Sequence, residues 1–149
     1  APDFNLLDVV AQKNISLKDV AKKKGLVVMF ICNHCPFVVH VIDEIVNIAN
    51  DYLSKDIGFV AISSNDVINY PDDDPIKMKA LALEKKFPFH YLYDETQDVA
   101  KLYDADLIVS CKDESIHILY KESNTILFEK TLYVTHIKIN MLKDFFIVN

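Results

Sequence analysis

The chain has 149 residues, of which 51% are hydrophobic, and this length and composition predict a single domain, residues 1–149, with one core. Its formal net charge is −6 at pH 7 and all 16 basic residues are lysine, which argues against a nucleic-acid surface and against binding to an anionic membrane. No apolar run approaches the roughly 18 residues that a membrane span needs, so the sequence predicts a soluble protein.

The first clear pattern in the chain is a buried strand followed by a helix. Residues 1–25 predict an irregular opening segment with a short hairpin. The run Leu26–Ile31 is short, apolar and rich in β-branched side chains, which is typical of a strand buried on both faces. A helix is predicted over Phe37–Leu53 because apolar residues recur there at helical spacing, and Pro36 lies in its first turn, where a missing donor costs little.

The rest of the chain alternates strands and helices and then changes to a hairpin. The predicted elements are a buried strand at Ile57–Ile62, a polar loop at Ser63–Pro75, a helix from Pro75 to about Lys86, a strand at His90–Tyr93, a helix capped within Asp94–Asp98 and running through Tyr103, a hairpin of Ser115–Tyr120 and Thr125–Lys130, and a closing helix that includes Ile137, Met141, Leu142, Phe145 and Phe146. This order predicts an α/β fold with parallel crossovers first and an antiparallel hairpin and closing helix last.

Two cysteines spaced C-x-x-C, Cys32 and Cys35, lie where the first buried strand ends and the helix begins. This placement predicts a dithiol that opens and closes as a disulfide. The helix N-terminus directs free N–H groups at the first sulfur, so we expect the pKa of Cys32 to lie well below the usual value of about 8.5. An imidazolium at His34 is expected to stabilise the Cys32 thiolate further and to make the disulfide more oxidising.

Other interpretations of these residues stay open. The cysteines could be buried and inert, or they could form a metal site with His34 and with Cys111 as the fourth ligand. Cys111 has no intramolecular partner once the other two cysteines have paired. His40 is predicted to be a structural or surface histidine. The acidic tract 72–74 is predicted to be a solvated loop before a helix, with a cation site as the alternative.

Several stretches of the chain resemble one protein family. The order of elements with C-x-x-C at a strand end resembles the thioredoxin fold. More narrowly, the chain is similar to the thioredoxin-like redoxin branch grouped with alkyl hydroperoxide reductase and thiol-specific antioxidant proteins, over about residues 1–106. The matching stretches include Ala1–Phe4, Phe30–Val38, Ala61–Asp66, Tyr70–Asp73, Phe87–Phe89 and Tyr91–Gln97.

This resemblance implies a fold, an activity and a role for each cysteine. The implied fold has a central mixed sheet flanked by helices. The implied activity is that of a dithiol–disulfide oxidoreductase in which Cys32 attacks and Cys35 resolves. The partners would be a disulfide or dithiol substrate and an electron donor, with no cofactor, no nucleic acid and no membrane. The cytoplasm is favoured over export.

The chain also departs from the family pattern. Met29 stands where peroxiredoxins have a threonine three residues before the peroxidatic cysteine, which disfavours direct peroxide reduction. Leu26 stands where thioredoxins have a buried acid, so proton handling would fall to His34 or water. The cis-proline of the family is replaced by Ser115 or, in the other register, Asp113, so we expect a trans peptide and a reshaped groove. Residues 107–149 form a divergent tail, and a metal-binding or protein-binding module that has lost this groove is the competing interpretation.

Overall fold

The computed structural model describes residues 1–103 with their side chains and, beyond them, the backbone of three strands within 110–133. The elements are β1 (Asn5–Asp8), β2 (Lys13–Ser16), α1 (Leu17–Val20), β3 (Leu26–Phe30), α2 (Pro36–Leu53), β4 (Gly58–Ser63), a 3-10 helix (Pro71–Asp73), α3 (Pro75–Glu84), β5 (His90–Tyr93), α4 (Asp98–Leu102), β6 (Ser110–Lys112), β7 (Ser115–Glu122) and β8 (Thr125–Tyr133).

Five strands form a mixed sheet in the order β2-β1-β5-β4-β3. The strands β3, β4 and β5 are parallel, with Leu26 opposite Gly58 and Val60 opposite His90, as the predicted crossovers require. The opening hairpin of β1 and β2 is antiparallel, and β1 also pairs antiparallel with β5. The central mixed sheet flanked by helices is therefore confirmed.

The core lies on both faces of this sheet because its central strand is buried from end to end. All six residues of β4 are buried. Val60 and Ile62 face a cluster that includes Val20 of α1 and Val99 of α4. Phe59 and Ala61 alternate with them and face a second cluster, to which α2 and α3 contribute. This alternation is the period of two that a strand covered on both faces requires.

The helix α2 positions the cysteine turn against the sheet. Its Ile42 and Ala49 are fully buried two turns apart, and its other apolar residues lie around them, as the predicted helical spacing requires. Pro36 is the first helical residue, in agreement with the sequence prediction. In the described part of the chain, no helix is both long enough and apolar enough to cross a bilayer.

The last third of the chain contains the predicted hairpin. The strands β7 and β8 pair antiparallel, and β6 adds to β7, so these strands form a second sheet of three strands. The hairpin is longer than predicted and extends on both strands, to Glu122 and to Tyr133. The predicted closing helix lies outside the described residues. Asp113 and the peptide bond before Ser115 lie outside them as well.

Candidate active site

The two cysteines lie in the turn between β3 and α2, as the sequence predicts. The strand ends at Phe30, and Cys35 is the N-cap residue of the helix, with extended backbone angles (φ −69°, ψ 117°). Both Cys32 and Cys35 are free thiols and are partly exposed. The turn therefore presents two sulfurs to solvent at the carboxyl edge of the parallel strands, where ligands commonly bind in open α/β sheets.

The most buried polar group at this turn is the carboxyl group of Asp73. Its side chain is fully buried. Oδ1 accepts the backbone N–H of Asn33 at 2.6 Å and that of His34 at 3.2 Å. Oδ2 accepts the side-chain amide of Asn65 at 2.8 Å and lies 2.6 Å from Nδ1 of His34. One carboxyl group thus ties the cysteine turn to the loop after β4.

The prediction that the acidic tract 72–74 is only a solvated loop is therefore wrong for one of its three residues. Asp72 is exposed and pairs with Lys77 at 2.7 Å. Asp74 accepts the backbone N–H of Ile76 at 2.8 Å and caps α3, as a loop before a helix would. Asp73 differs because it ends a 3-10 helix, whose three residues per turn direct successive side chains to different sides.

The loop before this 3-10 helix is shaped by local hydrogen bonds. Asp66 accepts the backbone N–H of Ile68 at 2.9 Å and the side-chain amide of Asn69 at 2.6 Å, which tightens the turn. Pro71 then begins the 3-10 helix. These contacts bring Tyr70 over the cysteine turn, where its ring stacks on the imidazole of His34 with centroids 4.5 Å apart and planes 11° apart.

His34 is held on two sides. Tyr70 covers one face of its ring, and Asp73 binds Nδ1. The other three groups that bind the Asp73 carboxyl group are all N–H donors. The carboxyl group therefore acts as an acceptor toward His34 as well, and Nδ1 of His34 carries the hydrogen. The sequence prediction directed the positive charge of this imidazole at the Cys32 sulfur, whereas the structure pairs the ring with a buried carboxylate.

The predicted low pKa of Cys32 is wrong. Burial of the sulfur, reinforced by the negative charge of Asp73 and by the neighbouring Cys35, raises the pKa of Cys32 to about 11. Hydrogen bonding from the Cys35 backbone and the Asn65 side chain lowers this pKa, but by less than burial raises it. At neutral pH Cys32 is therefore a thiol, and its sulfur becomes a strong nucleophile only when that proton is removed.

Tyr91 also belongs to this site, although sequence reasoning treated it only as part of a strand. Its side chain is fully buried in β5 and its hydroxyl donates to Oδ1 of Asn33 at 3.2 Å. Burial raises the pKa of Tyr91, and the charges of Asp73 and Cys32 raise it as well, so its hydroxyl keeps its proton. His40 is exposed on α2, in agreement with the prediction of a structural or surface residue.

The spacing of the site would also suit a metal ion, which was an open interpretation of the sequence. Cys32, His34 and Asp73 bring one possible ligand atom each within 4.8 Å of one another. However, both oxygens of Asp73 already accept two N–H groups each, and Nδ1 of His34 is one of these donors. A metal on this carboxyl group would have to displace them. The suggested fourth ligand, Cys111, lies in β6, where side chains fall outside the described part of the structure.

A profile of the AhpC/TSA family matches residues 1–135 of the chain. The chain is 45% identical to an uncharacterized conserved protein from Geobacillus kaustophilus, with a TM-score of 0.71, and the match covers 87% of this chain and 65% of that one. It is 29% identical to a hypothetical protein from Sinorhizobium meliloti 1021, with a TM-score of 0.68, over 87% of this chain and 67% of that one. The chain therefore spans about two thirds of the length of these two proteins. No curated protein matches it significantly.

The structural neighbours also include a thiol:disulfide interchange protein of the thioredoxin family from Chlorobium tepidum TLS. It is 17% identical and has a TM-score of 0.58, over 80% of this chain and 76% of that one. At this identity the likeness shows the fold alone. The thioredoxin fold predicted from the sequence is confirmed.

Proposed function

The chain belongs to the AhpC/TSA family, and we propose that it is a thiol–disulfide oxidoreductase in which Cys32 attacks and Cys35 resolves. One observation carries the proposal. Two free, partly exposed thiols share the short turn between a buried strand and a helix, and the second thiol is on the N-cap residue. A pair in this position can form a disulfide with each other and can also reach a substrate from solvent.

The proposed reaction moves two electrons from the dithiol to a substrate disulfide. The Cys32 sulfur bonds to one sulfur of the substrate, and the substrate S–S bond breaks to release the first thiol. The Cys35 sulfur then bonds to Cys32, the mixed disulfide breaks, and the second substrate thiol leaves. A dithiol donor restores the pair by the reverse exchange.

Reduction of peroxide is a less favoured reaction for this site. The residue three positions before Cys32 is Met29, whose thioether cannot donate the hydrogen bond that a threonine hydroxyl would give. Thiol–disulfide exchange needs no such donor, because the attacked group is a disulfide sulfur.

Exchange with oxidised glutathione tests the proposal. We expect the unmodified chain to release glutathione and to form its own disulfide. Cys32→Ser should abolish the reaction. Cys35→Ser should stop it at a mixed disulfide, seen by mass spectrometry as one added glutathione on Cys32. Cys111→Ser is the matched control and should retain exchange.

Two results would overturn the proposal. Undiminished exchange by the Cys32→Ser variant would show that another group reacts. A lack of exchange by the unmodified chain, together with about one bound zinc per chain in a metal titration, would favour the metal-binding alternative.

A further inference from the structure

We infer that Asp73 is a positioning residue that makes His34 the general base for Cys32. The three residues then form a nucleophile, a base and a group that orients the base, as in other sites with an activated nucleophile. The inference rests on the proposed function and adds the route of the proton. The sequence left proton handling to His34 or water and predicted that Asp73 belongs to a solvated loop.

The three side chains lie close together. The Cys32 sulfur, a ring nitrogen of His34 and a carboxylate oxygen of Asp73 all lie within 4.8 Å of one another. The sulfur and the histidine belong to one short turn, whereas the carboxyl group comes from a segment about forty residues later. The two backbone N–H bonds from Asn33 and His34 fix this carboxyl group to the turn itself, so the distances are set by the fold.

The hydrogen bond to Asp73 determines which nitrogen of the His34 imidazole can accept a proton. A carboxylate bound to Nδ1 holds the hydrogen on that nitrogen and leaves Nε2 as the free proton acceptor. The same carboxylate stabilises the imidazolium that forms when Nε2 takes a proton. Stacking on Tyr70 restricts rotation of the imidazole ring about its Cβ–Cγ bond. Because the side chain of His34 is one third exposed, Nε2 can exchange its proton with solvent afterwards.

The protonated Cys32 thiol requires a base, and His34 is the candidate. The titratable groups around Cys32 are Cys35 from the start of α2, His34 from the turn, Asp73 from the 3-10 helix and Tyr91 from β5. Among them only the imidazole can carry a positive charge. Burial and Asp73 keep Cys32 protonated at neutral pH, so attack has to be accompanied by proton transfer to a nearby group.

The proton transfer can be written in balanced form. The proton of the Cys32 thiol moves to Nε2 of His34, directly or through one water, as the sulfur bonds to the substrate disulfide. The substrate S–S bond breaks, and its electron pair goes to the departing sulfur. Nε2 returns the proton to that sulfur, which leaves as a thiol. The imidazole is unchanged after the step, and its Nδ1–H stays bonded to Asp73 throughout.

The test measures how fast Cys32 forms a mixed disulfide with oxidised glutathione, as a function of pH, in the Cys35→Ser chain. General bases typically contribute about 10²–10⁴-fold. We expect His34→Ala to slow the reaction at neutral pH by about 100-fold and to remove the lower of two inflections in the pH profile. Asp73→Asn should slow it by about tenfold or more. The double variant should be no slower than His34→Ala, since Asp73 acts through His34.

The sign of the Asp73→Asn effect separates this role from a simple charge effect. Removing a negative charge beside Cys32 would by itself increase the thiolate fraction and speed the reaction. A faster or unchanged Asp73→Asn variant therefore overturns the inference. Asp72→Asn, which removes the same charge at the exposed neighbour, and His40→Ala are the controls and should change the rate less than twofold.

The inference can still be tested if Asp73→Asn fails to fold, which circular dichroism would show. The pH profile of the Cys35→Ser chain then gives the answer, because a single inflection that persists in His34→Ala would exclude a histidine base. The failure of this inference also differs from that of the proposed function. Exchange that depends on Cys32 but not on His34 or Asp73 overturns only the inference, whereas exchange independent of Cys32 overturns the function.

Discussion

The ionisation of Cys32 is the sharpest quantitative expectation from this structure. A free thiol with a pKa of about 8.5 is about 3% ionised at pH 7. Burial of the sulfur, reinforced by Asp73, raises the pKa of Cys32 to about 11, at which only about 0.01% is ionised. The thiolate fraction of Cys32 at neutral pH should therefore be about a few hundred times smaller in the folded chain than in an unfolded chain.

This expectation can be measured on a chain in which Cys32 is the only thiol. In the Cys35→Ser, Cys111→Ser variant, the ultraviolet absorbance of the thiolate should rise with a midpoint near pH 11. A variant lacking all three cysteines supplies the tyrosine signal to subtract. Adding Asp73→Asn should lower the midpoint by less than the whole shift, because burial is the larger cause. A midpoint at or below about 8.5 would refute the reasoning and show that the helix N-terminus outweighs burial.

Two further predictions concern stability. Gly58→Ala should lower the free energy of unfolding in urea by about 1–3 kcal/mol, because an added Cβ would clash with the carbonyl oxygen of Val20. Asn50→Ala, at an exposed position of α2, is the control. Equal urea midpoints for Gly58→Ala and the unmodified chain would contradict the close approach of Gly58 to Val20. Stability should also fall as the pH rises from about 9 to about 11, because folded Cys32 keeps a proton that the unfolded thiol has lost. Cys32→Ser should flatten this pH dependence, and an unchanged slope would assign it to other groups.

The parts of the site that could be predicted from the sequence are those whose signals are local. One signal is the apolar run that ends just before Cys32, and the other is Pro36 at the start of a helical pattern. Together they place the strand, the turn and the helix within about ten residues. Each signal depends only on neighbours in the chain, and the structure places the cysteine turn where these signals indicate. The outline of the parallel sheet follows from the same kind of pattern, repeated along the chain.

The role of Asp73 could not be predicted in this way. Three consecutive aspartates before a proline are typical of an exposed helix start, and their composition does not show which of them is buried. Which aspartate is buried depends on the direction in which a single turn of 3-10 helix points each side chain. It also depends on the hydrogen bonds of this turn to backbone N–H groups about forty residues earlier. A usable signal was Pro71, which together with Pro75 restricts the backbone on both sides of the tract.

The distant carboxyl group changes the chemistry expected of the nearby histidine. An isolated imidazolium beside Cys32 would favour a thiolate at rest and a more oxidising disulfide. With Asp73 bound to Nδ1, the proposed role of the histidine is instead to accept a proton during attack. When the thiol is protonated at neutral pH, stabilising its thiolate adds almost nothing to the free energy of the reduced state. In the proposed mechanism, His34 and Asp73 would therefore act on the rate of exchange more than on its equilibrium.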